Sequence, residues 1–290
     1  MSELLSRLAE ARAADPSWVA ADPAGARVLV VVQARMGSSR LPGKVALPLA
    51  GAPLLVRMVE RLKRVKTPVE LVVATSVLPE DDRVVELAAE AGVRCHRGDP
   101  LDCLDRHLTA AREARADFVV KIPSDCPLID PAIVDRVLSV FFAAPDRYDY
   151  VSNLHPGTWP DGNDVEIVPM AQLELAGREA TRPLEREHTT PFFWENPERF
   201  RIENVAWSLD LAMSHRFTID YREDYAFIAA VFDALYPKKP AFSLYDILEL
   251  VEKQPELYAL NHAYAGVNWY RHHLGELKTV TADHTRTDVR

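Results

Sequence analysis

The stretch richest in chemistry is Val28 to Lys44, VLVVVQARMGSSRLPGK, where five apolar residues and a glutamine pass directly into a basic loop. Arg35, Arg40 and Lys44 are interleaved there with Gly37, Ser38, Ser39 and Gly43. Side-chain charge and bare backbone N–H groups can then surround one anion, and a polyphosphate is the natural guest. The spacing is not that of a P-loop, which needs four residues between its first glycine and the Gly-Lys pair, then a hydroxyl. Here five residues separate Gly37 from Gly43, and Val45 follows Lys44. Lys44, sitting on a loop, is expected at the surface, so that its replacement by alanine spares the fold.

A second candidate is Asp125, held between prolines in Pro123-Ser124-Asp125-Cys126-Pro127. A carboxylate fixed in direction on such a turn suits a magnesium ion beside phosphates; the competing reading is an Asx-turn. Asp220, ending Phe217-Thr218-Ile219-Asp220, is its natural partner at one metal. Thr75 and Ser76 close another apolar run and are placed to meet a base or ribose. Asp164 and Glu166 alternate with apolar residues, which suits either the hydroxyls of a sugar or the solvated face of an edge strand. The charged run Glu185, Arg186, Glu187, His188 is either a helix surface or the wall of an acceptor pocket.

These residues need a frame. Val28–Val32, Val69–Ala74, Val93–His96 and Asp117–Ile122 read as strands, the first as a central strand covered on both faces. Between them, helices are expected from Pro53, from near Pro79 and from Asp99-Pro100, with Asp99 as N-cap and Leu101, Leu104, Leu108 and Ala111 in the core. Alternating strands and helices predict an α/β fold with a mostly parallel central sheet flanked by helices. In such sheets ligands bind at the carboxyl ends of the strands, where the basic loop and Asp125 fall. From about 146 to 215 the pattern turns aromatic and turn-rich, which predicts an inserted β-rich lobe. Phe217–Asp220 reads as a further short strand, and helices follow to Leu235 and over 242–253.

The organisation expected is an accessory helix and linker over 1–26, with breaks at Asp15-Pro16 and Asp22-Pro23, then the main domain over 27–265. An aromatic tail, 266–290, reads as a docking segment or subunit contact, consistent with a homodimer. A formal charge of −9 argues against a nucleic-acid surface. Three cysteines without CxxC spacing favour free thiols, and no apolar run spans a membrane, so a cytoplasmic location is expected.

The motifs together resemble the cytidylyltransferases that activate acidic sugars, the acylneuraminate and 3-deoxy-manno-octulosonate type, most closely the spore-coat polysaccharide (SpsF-like) branch. They are Gln33-Ala34-Arg35-Met36-Gly37-Ser38-Ser39-Arg40-Leu41-Pro42-Gly43-Lys44, Ala74-Thr75-Ser76 with Asp81-Asp82, and Asp125-Cys126-Pro127-Leu128-Ile129-Asp130-Pro131. Asp161-Gly162 with Asp164-Val165-Glu166, Arg186-Glu187-His188, and Thr218-Ile219-Asp220 with Glu223-Asp224 complete the set. The resemblance implies a fold like the GT-A glycosyltransferases. It implies that Gln33, Ala34, Arg35, Gly37, Ser38, Arg40, Lys44, Thr75 and Ser76 bind CTP, with Arg35, Lys44 and Asp125 catalytic. It further implies Mg2+ on Asp125 and Asp220, and an acidic sugar or phosphorylated acceptor near Asp164, Glu166, Arg186, Glu187 and His188. Ser124 stands where relatives commonly carry glycine. A GT-A-type glycosyltransferase and a nucleotide-binding module without turnover are the competing readings.

Overall fold

Val28–Gln33 form β1, and its first five residues are at most 3% exposed, as a strand covered on both faces requires. Each such side chain stabilises the fold by roughly 1.5–3 kcal/mol relative to exposure. The computed structural model describes residues 3–14 and 20–288. Before β1 lies α1 (Glu3–Ala14), whose buried Leu8 and Ala11 pack the accessory helix onto the main core. The Asp15-Pro16 break lies outside the described residues.

After β1 come a small ribbon, β2 (Pro48–Leu49) and β3 (Ala52–Pro53), then α2 (Leu54–Leu62). Pro53 sits at the N-cap of α2, and Leu54, Leu55, Met58, Val59 and Leu62 form the buried face that the spacing predicts. Next are β4 (Glu70–Ser76), α3 (Asp82–Glu90), β5 (Arg94–Gly98), α4 (Cys103–Ala114), β6 (Phe118–Pro123) and α5 (Pro131–Phe142). The helix after β5 starts later than expected. Asp99 accepts from Leu101 N–H at 2.7 Å in a local turn, whereas Asp102 is the true cap, accepting from Asp105 N–H at 2.8 Å. Leu101 therefore falls on the loop and is 83% exposed rather than in the core.

The segment expected as an inserted β-rich lobe extends the same sheet. It supplies β7 (Tyr150–Ser152), β8 (Glu166–Pro169), α6 (Met170–Glu179), α7 (Pro183–His188), α8 (Pro191–Trp194) and β9 (Ile202–Asn204). The sheet order is β5-β4-β1-β6-β8-β7-β9, with β8 antiparallel to β6 and β7, and the other neighbours parallel. Helices α9 (Arg222–Leu235), α10 (Leu244–Lys253) and α11 (Pro255–Tyr258) follow, and α1 packs on α10. Phe217–Asp220 is not a strand. Apart from one bridge at Arg216, it is an irregular segment whose backbone bonds go to two loops rather than to a ladder. Among the described residues no helix is long and apolar enough to cross a membrane.

Candidate active site

The register of β1 and β6 pairs Gln33 with Pro123, so the basic loop and the Asp125 turn leave the sheet side by side. The 217–220 segment is stitched to that turn, with Ile219 N–H and the Thr218 hydroxyl both donating to the Asp125 carbonyl, at 2.9 and 3.0 Å. Phe217 N–H donates to the Asp161 carbonyl at 2.7 Å, which fastens the 160–164 turn as well. Gly162, at φ +101°, makes this approach possible: a Cβ there would stand 2.5 Å from the Phe217 carbonyl carbon. Three segments distant in sequence thus meet through backbone contacts.

At the meeting point Lys44 reaches into a set of oxygens. Gly43, at φ +70°, turns the loop so that Lys44 opens a short 3₁₀ turn. Its ammonium donates to the Ile219 carbonyl at 2.7 Å and to Asp220 Oδ1 at 3.0 Å, and lies 3.6 Å from Asp125 Oδ2. The side chain is 11% exposed, so the expectation of a surface lysine fails: the neighbouring carboxylates hold its charge inside. Burial disfavours that charge, yet Asp125 and Asp220 outweigh it and raise the lysine's proton affinity. Asp220 also accepts from Arg40 at 2.8 Å and from Arg216 at 3.1 Å. Burial would raise its pKa, but Lys44, Arg40 and Arg216 hold it well below the usual carboxylate range.

Gln33, Ala34, Arg35, Gly37, Ser38, Arg40 and Lys44 all line one cavity of about 1200 Å3, together with Asp125 and Asp220. Asp164, Glu166, Glu187 and His188 line it too. Three expected site residues do not. Because β4 extends through Ser76, Thr75 and Ser76 lie within the sheet, fully buried, instead of at its rim. Ser76 acts on the loop indirectly, donating to Asp81, whose other oxygen accepts from Met36 N–H at 2.7 Å. Arg186 turns away to Asp102, with Nε to Oδ2 at 2.8 Å, and braces α7 against the start of α4.

Glu166 is buried within β8, an interior strand, which removes the edge-strand reading. It pairs with Lys121 and accepts from the Tyr150 hydroxyl at 2.6 Å. Burial opposes its charge, but Lys121 prevails and its pKa is lowered. Asp164 is pushed up to about 7 by burial and by Asp125. Asp161 is likewise raised by burial, with Arg216 opposing and Asp164 adding to the rise. His188 falls to about 3 through burial and the nearby Lys121, so it is a neutral imidazole at neutral pH.

Sequence reasoning missed Lys121, Arg216, Asp161 as a site residue, and the tail. Lys121 carried a signal: a lone lysine inside a strand as apolar as Phe118–Pro123 must find a buried partner. Arg216 carried none, since only the folded chain brings Asp161, Asp220 and Asp224 around it, at 3.0, 3.1 and 2.9 Å. The tail, expected as a docking segment, folds back to line this cavity, from Gly266 to Tyr270 and again at His272 and His273.

Among the described residues no three His, Cys, Asp or Glu side chains are gathered as a resident metal centre. Magnesium is usually held by one or two carboxylates together with substrate phosphates. Asp125, whose Oδ1 accepts among the described residues only a long 3.6 Å contact from the Cys126 thiol, fits that arrangement. Asp220 lines the same cavity, with Oδ1 paired to Arg40 and Lys44 and Oδ2 to Arg216.

The sequence profile of the cytidylyltransferases matches residues 29–265. The chain belongs to the cytidylyltransferase family. It is 35% identical to a cytidylyltransferase of Leptospira borgpetersenii whose solved structure superimposes with a TM-score of 0.77, covering 80% of this chain and 97% of that one. The spore coat polysaccharide biosynthesis protein SpsF of Bacillus subtilis is 28% identical over 79% of this chain and 95% of its own length. A 3-deoxy-manno-octulosonate cytidylyltransferase of Anaeromyxobacter dehalogenans is 37% identical over 119 residues, 40% of this chain and 48% of that protein. This cytidylyltransferase is therefore a nucleotidyltransferase with the α/β fold that the strand pattern predicts. Family membership displaces the glycosyltransferase and the silent-module readings.

Proposed function

We propose that the protein transfers CMP from CTP to a small acidic sugar or related acceptor, with Mg2+, and releases pyrophosphate. The observation that carries this is Lys44, set between Asp125 and Asp220 at the exit of β1. A triphosphate entering there meets Arg35, Arg40 and Lys44 with the loop N–H groups. The acceptor oxygen attacks the α-phosphorus, the bond to the bridging oxygen breaks, and pyrophosphate leaves with its electron pair. Arg40 and Lys44 neutralise the charge that accumulates on the leaving group, and the cavity walls keep the reacting groups in line. Bound Mg2+ would be held by Asp125 and Asp220 and would supply further charge neutralisation on the phosphoryl oxygens. Asp164 and Glu166 line the same cavity, suited to the hydroxyls of a sugar, and the acidic sugar named for the Anaeromyxobacter relative agrees with that class. A cytoplasmic homodimer belongs to this reading.

The test is pyrophosphate release from each of the four nucleoside triphosphates, with and without Mg2+, against sugar acids, sugar phosphates and phosphonates. Turnover confined to CTP, lost on chelation of the metal, is expected. Equal turnover of ATP, or activity that survives chelation, would refute the reading.

A further inference from the structure

Residues 266–284 lie past the segment matched by the family profile, yet they complete the cavity. The tail is held at three places. Arg216, the arginine that carries Asp161, Asp220 and Asp224, also donates to the Val267 carbonyl at 2.7 Å. Glu195, 1% exposed, accepts from Lys278 N–H at 2.6 Å and from Thr279 N–H at 2.9 Å. Arg182 donates to the Glu276 carbonyl at 2.7 Å. So anchored, the tail sets Trp269 flat on His188, with ring centroids 3.8 Å apart and planes 11° from parallel. Tyr270 packs against Trp194 and His155 beside them.

At about 1200 Å3 the cavity exceeds the roughly 300–1,000 Å3 of a pocket for one small molecule, as a site for two substrates must. The basic loop takes the phosphates of one, which leaves the aromatic wall for the other. Resting on the cytidylyltransferase reading above, we propose that the 266–284 tail is the acceptor-side wall of this enzyme. Its Trp269, stacked on His188, is the specificity-determining platform on which the apolar face of an acceptor sugar ring lies. Ring C–H groups meet the negative face of an aromatic side chain, and a neutral imidazole backs that face without adding charge. The Lys121–Glu166 pair, an electrostatic neighbour of His188, supplies polar contacts to the ring's edge. Trp269 is half-buried and packs on the edge of the core, so Trp269→Phe, which keeps an aromatic ring there, is the variant that separates the platform from packing.

The experiment uses the full chain and its Trp269→Ala and Trp269→Phe variants. CTP binding with Mg2+ is measured by calorimetry, and pyrophosphate release is followed with 3-deoxy-manno-octulosonate, N-acetylneuraminate, glucose 1-phosphate and the acyclic 2-aminoethylphosphonate. Turnover of a ring acceptor is expected, with its KM raised about ten-fold or more in Trp269→Ala, within about three-fold in Trp269→Phe, and the CTP Kd unchanged in both. An unchanged acceptor KM in Trp269→Ala overturns the proposal. So does a parallel loss of CTP affinity, turnover of the acyclic acceptor alone, or no turnover at all while CTP still binds. Loss is then confined to the wall, since the nucleotide reading survives wherever the unaltered protein binds CTP; failure to bind CTP would defeat both.

Discussion

At the scale of single residues the site is a problem of charge. Lys44 is the shared counter-ion of Asp125 and Asp220, and its replacement has two separable effects. Asp220 keeps Arg40 and Arg216, so Lys44→Ala leaves only part of the buried charge uncompensated, a cost of roughly 1–3 kcal/mol in stability. The transition state loses a cation at the leaving group, a loss on the order of 10²–10³ in kcat of the kind seen when one preorganised donor is removed. Thermal unfolding and pyrophosphate release on Lys44→Ala, with Lys44→Met as the volume-matched control, measure the two. A variant that keeps full turnover removes the loop from the reaction. Asp125→Asn belongs beside it: the amide no longer draws a cation, so the Mg2+ concentration for half-maximal rate rises by about ten-fold or more. An unchanged metal requirement would assign the ion to another carboxylate.

At the scale of elements, what was legible in the sequence is what local pattern encodes. The apolar run of β1, the proline at the start of α2 and the strand that stops just before Asp125 each leave a signal within a dozen residues. The basic loop and Asp125 are legible because both sit where such a run stops. The misreadings share a different cause. Asp99 and Asp102 are both cap-type residues ahead of a helix, and only the register of the turn selects Asp102. Thr75 and Ser76 read as rim residues because nothing local says that β4 pairs two residues further with β5. Phe217–Asp220 has strand-like composition, but the Phe217 and Ile219 N–H groups donate to the Asp161 and Asp125 carbonyls, a choice fixed by tertiary approach. Gly162→Ala tests that approach. A Cβ 2.5 Å from the Phe217 carbonyl carbon, at a φ that side chains rarely adopt, pushes the 160–164 turn off the 217–220 segment. A stability loss of about 1–3 kcal/mol is expected, with a lowered kcat because Asp220 shifts with its segment. Wild-type stability in Gly162→Ala would mean that the two segments are not pressed together.

At the scale of the whole molecule, acid sensitivity follows from imidazoles that folding keeps neutral. His155 and His215 are lowered to about 4, first by burial, and His188 to about 3. His215 isolates the effect because it lies outside the cavity. Its Nδ1 meets the Ser214 hydroxyl at 2.9 Å, its ring packs against Tyr258 and Phe217, and Glu252 and His262 are the titratable groups near it. The sign follows from proton counting. Between pH 6.5 and about 4 the unfolded chain binds a proton at this position that the folded chain refuses, so stability falls as pH falls through that window. The full effect is on the order of 3 kcal/mol. In His215→Gln the position cannot titrate, while the ring's packing is lost at every pH. The variant is therefore less stable than the native protein at pH 7, by about 1 kcal/mol, and the difference shrinks and then reverses as pH approaches 4.5. The buried acids Asp161 and Asp164 titrate with the opposite sign, but they are common to both proteins and cancel in the comparison. A difference in Tm that stays constant from pH 7 to pH 4.5 would show that His215 charges as freely in the folded state as in the unfolded one.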